Sequence, residues 1–126
     1  MATVNLYAAW AGILLGVLVG AGQGLLFHRE DWLGGYASWP RRMVRLGHVS
    51  FFGLAFINLA FWVTASSLEL SGGAALPSWL LVVGAVTMPA CCYLAAFKKG
   101  FRHLFVIPVG GVGLGTALFL WRVLSR

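Results

Sequence analysis

Three histidines carry most of the chemistry that this sequence offers. His28 ends the first long apolar run, His48 opens the second, and His103 opens the last. An imidazole can ligate a metal, move a proton near neutral pH, or sit at an apolar boundary with its polar edge in water. Two registers bear on the choice. Glycines stand at Gly12, Gly16, Gly20 and Gly24, and the next four-residue step is His28. Stepping back from Gly115 through Gly111 and Ile107, the same interval reaches His103. Each of these two histidines therefore continues a row of small residues.

Two outcomes fit that pattern. The grooves of the first and last helices zip together and bring His28 beside His103, or a flat ligand lies between the helices and the histidines reach its metal. Histidine is an ordinary axial ligand of haem iron, and helical bundles build such sites in their cores. Haem b is accordingly the cofactor expectation. Arg45 and Arg102, with Arg41 and Arg42, would stand as guanidinium partners for its propionates. His48 steps to Phe52 and Phe56, a bulky face, and would supply a ligand only from another direction.

Other chemistry finds less support. Zinc held by three histidines lacks a fourth carboxylate or thiolate at suitable spacing, since Glu30 and Asp31 fall in a connection beside Arg29. Cys91 and Cys92 are adjacent inside an apolar run, point in different directions on a helix, and read as small core packing. Asn58, Gln23 and Thr87 are the midspan polar groups, and such residues hydrogen-bond neighbouring helices. No carboxylate lies deep in a span, which argues against a proton- or cation-coupled transporter. No nucleophile–base pair, phosphate loop or metal-spaced cysteine set appears, so no catalytic residue is assigned. Glycine ladders also pack helices without any ligand. Gly12, Gly16, Gly20, Gly24, Gly111 and Gly115 are therefore expected packing positions.

The elements that must position these residues follow from composition. The 126 residues are 60% hydrophobic and 10% charged, with mean hydropathy +0.89. Soluble domains carry roughly 25% charged residues, so the chain belongs in lipid. Four apolar stretches of spanning length are expected over about 6–27, 45–65, 78–97 and 103–121, with little chain left for a soluble domain. The N-terminal segment lacks a basic n-region, so the first run reads as a span and not as a cleaved signal. The first connection, 29–43, holds Trp32, Gly34, Gly35, Tyr36, Trp39 and Pro40 and suits the headgroup layer. The second, 66–77, turns at Ser71-Gly72-Gly73, and the third is only 98–102.

The net charge of +6 is explained by placement, without a nucleic-acid partner. Arg29, Arg41, Arg42, Arg45, Lys98, Lys99 and Arg102 fall in or beside the first and third connections, whereas Arg122 and Arg126 alone lie at the other end. Positive residues stay in the cytoplasm, so both termini are expected outside. Trp10, Trp62, Trp79 and Trp121 then share the outer interface. The expected fold is all-α and integral to the membrane: an antiparallel four-helix transmembrane bundle in a bacterial-type inner membrane. Its partners are membrane lipids and other membrane subunits. The first functional expectation is an accessory subunit of a larger respiratory or photosynthetic complex. A b-type cytochrome using two of His28, His48 and His103 is the alternative, and a small oligomeric channel or transporter is the third.

Overall fold

The computed structural model describes residues 3–70 and 72–125. Met1 and Ala2, Ser71 of the expected turn, and Arg126 of the outer pair lie outside the described residues. The chain is all-helical, with no strand among the described residues: α1 (Thr3–Gly24), α2 (Trp39–Ser67), α3 (Ala75–Phe97) and α4 (Val106–Leu124). Short 3-10 segments at Trp32–Gly34 and Lys99–Phe105 lead into α2 and α4. The four helices, the last taken with its 3-10 lead, are long and apolar enough to cross a membrane.

Helix ends fall where local chemistry puts them. α1 stops at Gly24, where three glycines within five residues weaken helix propensity, and residues 25–28 continue as hydrogen-bonded turns. α2 starts at Trp39, well before the apolar run. Ser38 is its N-cap, taking a hydrogen bond from the Arg41 amide at 3.3 Å, and Pro40 occupies the first turn, where its missing N–H is harmless. At 29 residues α2 is about 43 Å long, more than a ~30 Å hydrocarbon core needs. Its first turns therefore carry Arg41, Arg42 and Arg45. Between α1 and α2 the chain reverses through Gly34 and Gly35, whose φ of 87° and 97° lie in the left-handed region that glycine tolerates.

Small residues decide which helices meet. Along α1, Gly12 faces Ala55 and the Phe51 carbonyl, Gly16 faces the Phe52 ring, and Gly20 faces His48, so the ladder packs on α2. Gly47 of α2 takes the Tyr93 ring and Cys92 of α3. On α3, Gly84 receives Val112 of α4, while Gly111 and Gly115 of α4 lie on Leu80. α2 and α3 are thus the inner pair, with α1 on one and α4 on the other. α1 and α4 share no contact among the described residues. Phe61, Ala65, Ala74 and Leu81 form the apolar core, with the Phe119 ring tilted 54° against that of Phe61 and 4.4 Å away between ring centres.

Candidate functional site

The polar groups of this membrane protein gather at the two ends of the bundle, and both gatherings tie α1 to α3. At one end Asn5, Asn58 and Ser78 are 0%, 0% and 2% exposed. The Asn5 amide donates to Asn58 Oδ1 at 2.7 Å and to the Ser78 carbonyl at 3.2 Å. The Ser78 hydroxyl donates to Asn5 Oδ1. Asn58 gives its two protons to the carbonyls of Leu54 (2.9 Å) and Leu81 (3.3 Å). All four side-chain amide protons are used and each amide oxygen accepts one bond, so this cluster locks three helices together. The sequence marks Asn58 as a partner of a neighbouring helix. It gives no sign that Asn5 and Ser78 belong to it, because both sit at the fringe of apolar runs.

At the other end Gln23, 7% exposed, donates from Nε2 to the Tyr93 hydroxyl at 3.0 Å and to the Val44 carbonyl at 3.5 Å. Its Oε1 is buried and has no hydrogen-bond partner. Between these two ends runs a groove of about 340 Å³, walled by α1 and α3 and floored by Phe51 and Ala55 of α2, with Tyr93 at its edge.

Beyond Gln23 the chain wraps around Arg41, which is only 4% exposed. Its guanidinium donates to the carbonyls of Phe27 (3.0 Å), Arg29 (3.2 Å) and Glu30 (3.2 Å). The rings of Phe27, Trp32 and Tyr36 stand 5.3, 5.7 and 5.7 Å from its central carbon. Beyond the end of α1 the Arg29 carbonyl also takes the Trp32 amide, while those of Phe27 and Glu30 take the guanidinium, and a cation is the natural group to collect such carbonyls. Arg45 stacks over Tyr36 at 4.0 Å. Trp39 donates to the Ala95 carbonyl at 2.7 Å, joining the start of α2 to the end of α3. Arg42 and Lys99 lie 5.9 and 6.0 Å from the Trp39 ring.

The histidines do not follow the registers expected of them. Extending each glycine row assumed an uninterrupted α-helix. α1 ends at Gly24, so His28 lies in the turns beyond it and is exposed. His103 lies in the 3-10 stretch before α4, where 3.0 residues per turn break the four-residue step, and it too is exposed. The helices they flank share no contact among the described residues. The glycine rows are filled by protein: Gly12, Gly16 and Gly20 by α2, Gly111 and Gly115 by α3, while Gly24 faces open space. It is His48, half-buried and edge-on to Phe52 at 5.5 Å, that enters the α1 row at Gly20. Arg102 is exposed, and Arg41, the best placed by burial, is committed to carbonyls. Among the described residues no three of His, Cys, Asp and Glu converge on a common point.

Comparison of the chain with protein families, with curated proteins and with solved structures found no match.

Proposed function

We propose that this chain is a small packing subunit of a larger membrane complex of the respiratory or photosynthetic kind. One observation carries the reading. α4 has two small-residue rows, and only one of them is used. Gly111 and Gly115 seat on α3, whereas a methyl group added at Gly110 or Gly113 would meet nothing within 4 Å. With exposed Ala117, these make a smooth strip on the outer face of α4, flanked by the exposed side chains of Val106, Leu114 and Leu120. In lipid there is no hydrophobic force between helices, so association relies on close backbone approach at small residues. A strip of this kind suits a helix from another subunit. The b-type cytochrome reading has no comparable geometric support, since His28 and His103 flank helices that do not meet.

The chain sits, in this reading, in a bacterial-type inner membrane as an antiparallel bundle with both termini outside. The contact order Gly12–Ala55, Gly16–Phe52, Gly20–His48 supports opposite directions for α1 and α2. Arg29, Arg41, Arg42, Arg45, Lys98, Lys99 and Arg102 at one end support the orientation. A reporter fused after Lys99 should read as cytoplasmic and one at the C-terminus as external. The subunit reading is tested by mild-detergent purification from native membranes. The wild type should migrate with partner subunits, and Gly110→Leu with Gly113→Leu should release it while its own melting temperature holds. A wild-type chain that always runs alone overturns the proposal.

A further inference from the structure

We propose that the basic end of the bundle holds an anionic phospholipid, its phosphate shared by Arg42 and Lys99 beside Trp39 and an acyl chain lying along the outer row of α2. This stands apart from the subunit reading and is tested on the isolated chain.

Positive charge is gathered at this end well beyond what the chain itself neutralises. Seven of the nine basic residues stand here, against Glu30 and Asp31. The first turn of α2 holds no acidic residue, so its arginines sit on the positive end of the helix dipole. Arg41 is committed to backbone carbonyls, and Arg45 to the ring and carbonyl of Tyr36. Arg42 and Lys99 are exposed. Trp39 gives its indole proton to the Ala95 carbonyl at 2.7 Å, which fixes the ring between the start of α2 and the end of α3. Arg42 from α2 and Lys99 from the lead into α4 come to 5.9 and 6.0 Å from the centre of that ring. The two charges, 57 residues apart in the chain, therefore lie no more than about 12 Å apart in space. Two cations brought to one ring repel each other, and an anion shared between them reverses the sign of that interaction.

Phosphate suits this pair, since a guanidinium forks onto two of its oxygens and an ammonium meets it as a point charge on a flexible stem. The residues below Arg42 make the ligand a lipid and not a free ion. Trp39 and Arg42 begin a row that continues through Leu46, Val49, Gly53 and Phe56, the last four all exposed. Alternating steps of three and four residues keep the row on one side of α2. A methyl group at Gly53 would meet nothing within 4 Å, so the row is notched there. From Arg42 to Gly53 is about 16 Å along the helix, roughly half of a ~30 Å hydrocarbon core and so the reach of one leaflet. Charge at the headgroup level above an apolar row of that length is the profile of an anionic phospholipid lying against the helix. A choline headgroup carries phosphate too, but its own ammonium cancels the charge that Arg42 and Lys99 would attract.

The test uses the full chain in detergent, with lipid occupancy read by native mass spectrometry. The probes are dioleoyl phosphatidylglycerol, dioleoyl phosphatidylcholine and inorganic phosphate. The wild type should hold the anionic lipid about tenfold more tightly than the zwitterionic one. Arg42→Gln and Lys99→Gln should each cut that preference about fivefold. Arg29→Gln removes the same charge from the same end but from outside the Trp39 cluster, and should change the preference less than about twofold. All three side chains are exposed, so helix content and elution volume should hold. Equal wild-type binding of the two lipids overturns the proposal. So does an Arg29→Gln loss as large as that of Arg42→Gln, because the attraction would then be a field of the whole end and not a site. Inorganic phosphate that displaces phosphatidylglycerol at equal concentration overturns it as well, since the acyl chain would then contribute nothing.

Discussion

The Asn5–Asn58 hydrogen bond offers a direct measure of how much a polar link contributes inside this bundle. Asn58→Ala deletes the acceptor of Asn5 Nδ2 and the donors to Leu54 and Leu81, of which the Leu54 bond stays within α2. Two interhelical bonds are therefore lost. Such bonds average about 0.6 kcal/mol in membrane proteins and reach about 1.7. The expected destabilisation is on the order of 1 to 3 kcal/mol. Asn5→Ala removes three interhelical bonds, to Asn58, to the Ser78 carbonyl and from the Ser78 hydroxyl, and should cost more, on the order of 2 to 5 kcal/mol. The informative quantity is the coupling between them. In a double-mutant cycle the shared bond should appear as a non-additivity of about 0.6 kcal/mol or more, because the second substitution finds that bond already gone. Reversible unfolding in mixed micelles, followed by far-ultraviolet circular dichroism, supplies the four stabilities. Additivity within roughly 0.3 kcal/mol would refute the reasoning and mean that the two amides do not depend on each other.

Three further outcomes follow from the packing and the clasp. Gly16→Ala places a methyl 2.8 Å from the Phe52 ring, whereas Gly22→Ala meets nothing within 4 Å. The first should lower stability by about 1–3 kcal/mol and the second raise it by up to about 1 kcal/mol, and thermal melts that give both the same sign would sink the ladder as an α1–α2 interface. Arg41→Gln removes a guanidinium that collects three carbonyls and should destabilise by about 3 kcal/mol, with faster tryptic cleavage at Arg29; unchanged cleavage would argue against the clasp. The purified, reduced chain should show no haem band, and a band lost on His28→Ala or His103→Ala would restore the cytochrome reading.

What the sequence made legible was governed by composition and local chemistry. Four apolar stretches announce four spanning helices without reference to their neighbours. Their ends were harder. Trp39 and Pro40 read as headgroup residues, yet Ser38 followed by Pro40 is also a helix start, and that local signal prevails. The glycine ladder announced a packing face but not its partner. Which helix fills it depends on side chains more than twenty residues away, and α2 supplies Phe52 and His48. The histidine registers failed for a related reason: a periodicity extends only as far as the helix does, and α1 stops one step short. Gln23 was legible as a hydrogen-bonding residue. Tyr93 was not, because nothing local to α3 shows that an amide 70 residues earlier will reach it.

The Arg41 clasp also implies an order of assembly. It joins Arg41 to the Phe27 carbonyl across 14 residues, while the ties to α3 span 73 residues at Ser78 and 70 at Tyr93. Shorter loops close at lower entropic penalty, and chains emerge from the N-terminus first. The α1–α2 hairpin, with its glycine face and its clasp, can therefore form before α3 has been made. Asn5 and Asn58 already satisfy one another at that stage, but Ser78 and Tyr93 are still missing, so the hairpin enters the membrane with polar groups awaiting α3. The third helix completes both ends at once. α4, which packs on α3 and shares no contact with α1 among the described residues, docks last and leaves its outer strip free for whatever the finished bundle meets next.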